Sequence, residues 1–144
     1  MTPGVEVSTG PLGQGICNAI GMAIAEKQLA AQFNKEDFPV FDNTIYAMCG
    51  DGCLEEGITA EAASLAGHLG LGNVIVLYDD NHITIDGDTN LCFSEDVLAR
   101  FQSYGWHTLR VQNGDTNLDG ILSAIEEAKK VTDKYVPSPP PHDS

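Results

Sequence analysis

Residues 50–87 read GDGCLEEGITAEAASLAGHLGLGNVIVLYDDNHITIDG. They contain two polar loops, which are separated by a long and mostly apolar segment. The first loop, GDG at residues 50–52, follows an apolar run at residues 44–49. The second loop, DDNHI at residues 79–83, follows a similar run at residues 73–78. Short apolar runs that end in such loops are typical of buried strands in a parallel sheet. The spacing of about thirty residues predicts one strand–helix–strand unit, whose two loops leave the same edge of the sheet.

The segments within and around this unit continue the alternation. A helix is predicted over residues 59–69, ended by Gly70, and its expected apolar side is Ala62, Leu65, Ala66 and Leu69. Before the unit, a helix is predicted from the glycine-rich segment at residues 8–15 to Phe33. Its apolar face is Ile16, Ile20, Ala23 and Ile24.

After the unit, the pattern predicts a helix, a strand and a last helix. Ser94 caps the first of these helices and Gly105 ends it, and residues 107–111 are predicted to form the strand. The last helix begins at a capping box of Thr116 and Asp119. Its apolar face is Leu118, Ile121, Leu122 and Ile125.

This order predicts an α/β fold of three layers, with a mostly parallel sheet and helices on both of its faces. We expect one domain over residues 1–135. Residues 136–144, VPSPPPHDS, are predicted to be a disordered tail, because proline cannot donate to a sheet ladder.

The composition of the 144-residue chain argues against several classes of function. The formal net charge is −14 and the pI is about 4.3. Binding to nucleic acid or to an anionic membrane needs clustered Lys and Arg, so we expect neither. No apolar run reaches the length of a membrane span, and the first residues lack the pattern of a signal peptide. The cysteines fit no zinc or CxxC motif and favour reduced thiols in a cytoplasmic protein; they are Cys17, Cys49, Cys53 and Cys92.

The two loops carry groups that suit Mg²⁺, which prefers hard oxygen ligands in an octahedron. Asp51 offers a carboxylate, Asn81 an amide oxygen, and a backbone carbonyl such as that of Ile83 could add a third ligand. Gly52 has no side chain, so a phosphate could approach the backbone closely. Each loop alone is also an ordinary turn. Their pairing on consecutive strands favours a site for Mg²⁺ and a diphosphate.

Together the loops match the signature of thiamine diphosphate enzymes, in which GDG is followed after about thirty residues by Asn. In detail, residues 50–87 resemble the transketolase family, and TPGVEVSTGPLGQG at residues 2–15 is similar to that family's second cofactor loop. The resemblance extends from Thr2 to about Lys134. It implies a partial, N-terminal diphosphate-binding domain with a truncated thiamine-diphosphate-binding fold.

The resemblance also implies roles for matching positions. The Mg²⁺ ligands would be Asp51, Asn81 and the carbonyl of Ile83, and the diphosphate would also contact Gly52 and Asn81. The rest of the cofactor would be lined by Gly10, Pro11 and Leu12. Glu56 and Glu61 match acidic residues near the subunit interface of relatives, in a possible proton network, and both also suit a purely structural role at a helix N-terminus.

The family's chain is several times longer, and the resemblance assigns no catalytic residue here. The expected function is therefore that of a partial transketolase, which binds thiamine diphosphate and Mg²⁺ for two-carbon ketol transfer between sugar phosphates when complete. The other half of each site would come from a transketolase-type subunit in a dimer, so the isolated chain is expected to be inactive. Two alternatives stay open: a non-catalytic partner that docks on a full-length subunit, and one chain of a split enzyme.

Overall fold

Helices and strands alternate as predicted from α1 through β2, whereas the predicted alternation is not kept in the rest of the described chain. The structure is a computed structural model that describes residues 2–85 and 87–132. The tail predicted at residues 136–144 and the domain end predicted at residue 135 lie outside these ranges. The helices are α1 (Gln14–Phe33), α2 (Asp51–Glu55), α3 (Gly57–His68), α4 (Val97–Ser103) and α5 (Leu118–Ala128). The strands are β1 (Ile45–Gly50), β2 (Val74–Asp79), β3 (Ile83–Thr84) and β4 (Gly87–Asp88).

The predicted strand–helix–strand unit is confirmed. β1 and β2 are parallel neighbours, in register from Ile45 opposite Val74 to Gly50 opposite Asp79. Parallel neighbours need a crossover connection, and here the chain crosses through α2 and α3. The GDG segment is more than a turn, since α2 begins directly at Asp51. The two predicted loops therefore leave adjacent strand ends.

Helix α1 covers one face of this sheet with the apolar side that the sequence predicts. Ile16 and Ile20 are each 2% exposed, and Ala23 is fully buried. Ala23 packs with Val74, while Ile16 and Ile20 join Cys49 and residues of α3 in the main core. Since the apolar positions recur at helical spacing, this face was visible in the sequence.

The predicted apolar side of the next helix is confirmed at Ala62 and Ala66, which pack in the core, and is wrong at its two leucines. The buried residues of α3 are the small ones, namely Thr59, Ala63, Ala66 and Gly67. Leu65 is 47% exposed and Leu69 is 49% exposed. Small side chains let α3 approach its neighbours closely: the indole Nε1 of Trp106 donates to the carbonyl of Ala63 at 2.9 Å. Close packing, rather than the size of the apolar side chains, sets the buried face.

The third predicted strand is also absent from the described part of the chain. Residues 107–111 form no ladder hydrogen bonds there and are irregular. A strand exists only where a neighbour pairs with it, and in the described residues β2 pairs with β1 alone. An apolar pattern shows what a segment could bury but not whether a partner strand is available.

The predicted helix caps were displaced by one or two residues. Asp96, not Ser94, caps α4, because its side chain accepts from the N–H of Ala99 at 3.0 Å. Asn117, not Thr116, caps α5, through the N–H of Gly120 at 3.0 Å. Asp and Asn are as good at this position as the predicted residues, so the local sequence offered more than one start.

The opposite face of the sheet is open. Met48 is 80% exposed and Tyr46 is 48% exposed. Both line a wide hollow of about 1730 Å³, which Ile121 and Ile125 of α5 also line. α5 has no buried residue. The chain thus has three layers, of which the α5 layer is loosely packed. Within the described ranges, no helix is long and apolar enough to cross a membrane.

Candidate metal and diphosphate site

The site is built where β1 and β2 end side by side. Gly50 lies opposite Asp79 in the parallel register. Asp51, which follows β1, and residues 80–83, which follow β2, consequently lie at one edge of the sheet. Asp51 is 1% exposed, which is exceptional for an aspartate.

Asp51 accepts hydrogen bonds on both carboxylate oxygens. The hydroxyl of Tyr78 donates to Oδ1. The backbone N–H of Ile83 donates to Oδ2 at 3.3 Å. Both donors are uncharged, and none of the ion pairs in residues 2–85 and 87–132 involves Asp51. A buried carboxylate without a cation is costly, so this position favours a positive ligand.

The amide oxygen of Asn81 accepts a hydrogen bond from the same N–H group of Ile83 that donates to Asp51. This bond, to Oδ1 of Asn81, is 3.0 Å long. Because this N–H is shared with Asp51, the oxygens of the two predicted ligands lie close together. The Nδ2 of Asn81 donates to Oδ2 of Asp79 at 2.8 Å, which fixes which end of the amide faces the site. The structure therefore brings Asp51, Asn81 and the N–H of Ile83 together, whereas the atom of Ile83 predicted as a ligand is its carbonyl oxygen.

An uncommon backbone conformation shapes the loop. His82 has φ of 59°, in the left-handed region that few residues other than glycine adopt. The turn at His82 separates Asn81 from Ile83, and Ile83 then starts the β3–β4 hairpin opposite Asp88. The N–H of Thr89 donates to the carbonyl of His82 at 3.1 Å and secures the turn. Such strain in a loop is common at ligand sites.

Tyr78 connects the site to the core. Its ring packs against the main apolar cluster, and its hydroxyl also donates to Oδ1 of Asp80 at 3.3 Å. Burial, followed by the hydrogen bond to Asp51, raises the pKa of Tyr78. The phenol consequently stays protonated at neutral pH and acts as a hydrogen-bond donor.

The glycine-rich loop packs against the start of α2 and α3. Gly13 has φ of 82°, and a Cβ there would lie 3.0 Å from Cβ of Glu56 and from Oγ1 of Thr59. A Cβ on Gly52 would lie 3.1 Å from Cδ1 of Leu12. Thus Leu12 and Gly52, from the two predicted cofactor loops, are neighbours. Gly10 and Pro11 are exposed, and Gly10 faces open space.

Glu56 directly precedes α3 and Glu61 lies within it. Glu56 caps α3 with its backbone carbonyl, which accepts from the N–H of Thr59 at 3.0 Å, and its side chain makes no capping bond. Glu61 is exposed, and its charge adds to burial in raising the pKa of Cys17. Both alternatives given for these glutamates, an interface network and a helix-terminal role, remain predictions.

Sequence reasoning missed three residues around the predicted ligands. Tyr78 donates a hydrogen bond to Asp51, and Asp79 accepts one from Asn81. Asp80 accepts a hydrogen bond from Tyr78. Arg110 reaches Asp80 from the irregular segment, with Nη2 3.7 Å from Oδ2. A tyrosine that ends an apolar strand beside two aspartates was the available signal, since a buried hydroxyl needs a partner.

The donor set fits Mg²⁺ better than a softer metal. It comprises the carboxylate of Asp51 and the amide oxygen of Asn81, with the carbonyl of Ile83 as the predicted third donor, and such oxygens are the ligands of hard cations. Among the described residues, no three His, Cys, Asp or Glu side chains are grouped to hold an ion by themselves. One carboxylate and one amide leave room for phosphate oxygens and water, as Mg²⁺ sites commonly do.

Comparison with known proteins agrees with this geometry. The family described as "Transketolase, thiamine diphosphate binding domain" matches residues 1–138. This chain belongs to the transketolase family. The transketolase of Nostoc sp. is 63% identical over 134 residues, which are 93% of this chain and 20% of the relative. The chloroplastic transketolase of Zea mays is 63% identical over 133 residues, 92% of this chain and 20% of the relative.

Solved transketolase structures share the fold. The enzyme from Pichia stipitis in complex with sedoheptulose-7-phosphate superposes with a TM-score of 0.87 at 59% identity, over 90% of this chain and 19% of that one. Transketolase from Leishmania mexicana gives a TM-score of 0.86 at 53% identity, over 91% and 20% of the two chains. The predicted family and α/β fold are confirmed. The chain spans about a fifth of the length of these transketolases.

Proposed function

We propose that this chain forms the diphosphate half of a transketolase site, which binds Mg²⁺ and thiamine diphosphate for ketol transfer between sugar phosphates. The observation that carries the proposal is the buried Asp51 carboxylate. It has no cationic partner among the described residues, and it shares the N–H of Ile83 with the amide oxygen of Asn81. A divalent cation bound there would compensate the buried charge.

Different residues would contact the metal, the diphosphate and the thiamine. The metal would be held by Asp51, Asn81 and the carbonyl of Ile83, and the diphosphate would also contact Gly52. Leu12, which is adjacent to Gly52, would line the thiamine with Gly10 and Pro11. When bound, thiamine diphosphate supplies carbanion stabilisation, while the protein binds and orients it. We assign no catalytic residue within this chain.

The substrates and the partner belong to the larger assembly. One structural neighbour was crystallised with a sugar phosphate, sedoheptulose-7-phosphate, which supports sugar phosphates as the substrate class. We propose that a transketolase-type subunit supplies the other half of the site in a dimer. The exposed sheet face at Met48 and Tyr46 supports contact with further polypeptide. The same observation favours the two alternatives, a chain of a split enzyme or a non-catalytic partner of a full-length subunit.

We also propose a cytoplasmic location. The support is indirect: Cys17, Cys49, Cys53 and Cys92 are all free thiols, as expected in a reducing compartment. Several relatives are named chloroplastic, which is the competing location. Cell fractionation with an antibody against the chain separates the two.

Calorimetric titration of thiamine diphosphate, with and without Mg²⁺, tests the proposed function. We expect binding only with Mg²⁺ and a loss of affinity in Asp51→Asn that exceeds the roughly 10–100-fold typical of outer-shell substitutions. Asn81→Ala is expected to weaken binding less. Asp42→Asn, at an exposed aspartate before β1, is the matched control and should bind normally. Equal affinity in Asp51→Asn and the unsubstituted chain would contradict the proposed site.

A further inference from the structure

We propose that Tyr78 is a positioning residue for the proposed metal ligand Asp51. This inference rests on the proposed function, because it assigns to Tyr78 the orientation of a carboxylate that would bind Mg²⁺. The observation behind it is the contact of the Tyr78 hydroxyl with Oδ1 of Asp51, inside a site where that carboxylate is 1% exposed.

The fold holds the hydroxyl of Tyr78 in a fixed position. Tyr78 lies in β2 opposite Cys49 of β1, so its backbone belongs to the sheet. Its ring packs against the core cluster that contains Leu54 and Phe101. Because both backbone and ring are held by the fold, the hydroxyl is presented at a constant place, whereas a donor on a flexible loop would not be.

Two donors on two oxygens determine the orientation of the carboxylate. Tyr78 donates to Oδ1 of Asp51, and the N–H of Ile83 donates to Oδ2 at 3.3 Å. Without the hydroxyl, Asp51 keeps only the longer of these bonds, and its carboxylate could rotate. A ligand held by neighbouring hydrogen bonds binds metal more tightly, since less freedom is lost on binding.

Because the Tyr78 hydroxyl is uncharged, it leaves the negative charge of Asp51 available to a cation. A Lys or Arg at this place would neutralise Asp51 and compete with the cation, whereas a hydroxyl satisfies one lone pair and leaves the negative charge. Asp80 accepts from the same hydroxyl at 3.3 Å and itself faces the basic groups of Arg110 at 3.7 Å and His82 at 3.8 Å. The basic side chains thus meet Asp80 and not Asp51.

The test compares Tyr78→Phe, which keeps the ring, with Tyr46→Phe, a half-exposed tyrosine on the neighbouring strand. Mg²⁺ is titrated calorimetrically into the full chain in the presence of excess thiamine diphosphate, and thermal melts check folding. We expect Tyr78→Phe to weaken Mg²⁺ binding about 10–100-fold. Its affinity for thiamine diphosphate should recover at saturating Mg²⁺. Tyr46→Phe should match the unsubstituted chain.

The outcomes separate the two claims. If the unsubstituted chain binds no Mg²⁺ with thiamine diphosphate, the proposed function fails. If it binds, Asp51→Asn does not, and Tyr78→Phe has unchanged Mg²⁺ affinity with only a lower melting temperature, then Tyr78 is structural and this inference is overturned.

A second measurement needs no substitution at Tyr78. In the chain labelled with 3-fluorotyrosine, Mg²⁺ should shift one fluorine resonance, and Asp51→Asn should abolish that shift; the absence of any shifted resonance would contradict the proposal.

Discussion

Among single residues, His82 adopts a left-handed backbone conformation that is uncommon for residues other than glycine. Its φ of 59° turns the backbone between Asn81 and Ile83, so that the N–H of Ile83 donates to the amide oxygen of Asn81. Left-handed backbone costs an L-residue roughly 1–2 kcal/mol, and a β-branched residue tolerates it worst. The loop must therefore be held in place by the surrounding hydrogen bonds.

We expect His82→Gly to keep Mg²⁺ affinity within about threefold, because glycine adopts this conformation readily. His82→Val should lower the free energy of unfolding by about 1–2 kcal/mol and weaken Mg²⁺ binding. Urea denaturation and calorimetry measure the two effects. His107→Val, at an exposed histidine without positive φ, is the control. Normal Mg²⁺ binding by His82→Val would show that the turn is not needed for the site.

How far the site could be predicted also depends on single residues. The placement of Asp51 and Asn81 at one edge of the sheet was predictable, because each follows an apolar run and the two runs form one parallel pair. Tyr78 was not, since within an apolar run a tyrosine looks like any other buried residue until the direction of its hydroxyl is known. The left-handed turn at His82 was also hidden, because histidine signals positive φ much more weakly than glycine does.

At the scale of secondary structure, the least predictable feature was the buried side of α3. The sequence pattern correctly favoured Ala66, but it also favoured Leu65 and Leu69, whereas the structure buries Ala63 and Gly67 in their place. The pattern of apolar residues fits both choices, and the decision comes from how closely neighbouring segments approach. The strand predicted at residues 107–111 failed for a related reason, because pairing depends on a neighbour that local sequence does not specify.

The close packing of α3 gives a sharp prediction. A Cβ on Gly67 would overlap the backbone carbonyl of Tyr104, which cannot move without shifting the end of α4. Gly67→Ala should therefore lower the free energy of unfolding by about 3 kcal/mol or more in urea denaturation, at the upper end of overpacking effects.

Gly21→Ala is the matched control for that measurement. Gly21 lies within α1, and a Cβ there would meet nothing within 4 Å. Alanine should stabilise the helix by about 0.5–1 kcal/mol. If Gly67→Ala were as stable as the unsubstituted chain, the contact between α3 and the residues after α4 would not exist in solution.

At the scale of the whole molecule, one face of the sheet is open. β1 and β2 form a two-stranded parallel sheet, while parallel sheets normally have both faces covered. Here Met48 is 80% exposed, and Leu118 and Leu122 of α5 are 69% and 61% exposed. Such surfaces on a chain that spans about a fifth of its relatives fit a role within a larger assembly.

We accordingly expect the purified chain to show no ketol transfer, even with saturating thiamine diphosphate and Mg²⁺. The proposed residues hold the metal and the diphosphate, and binding without orientation of the reacting groups does not lower the barrier. A coupled assay with a ketose phosphate donor and an aldose phosphate acceptor measures this. Turnover near that of a full-length transketolase would contradict the half-site account. Activity that appears only when a second chain is added would favour the split enzyme.

The location of the metal tests the central claim most directly. Mn²⁺ accepts the same oxygen ligands as Mg²⁺ and scatters anomalously, so crystals grown with Mn²⁺ and thiamine diphosphate can locate the ion. We predict an anomalous peak within about 2.3 Å of a carboxylate oxygen of Asp51, the amide oxygen of Asn81 and the carbonyl oxygen of Ile83. The cofactor's diphosphate should complete the coordination. A peak at other residues, with the cofactor bound and Asp51 still contacting only Tyr78 and Ile83, would contradict the account.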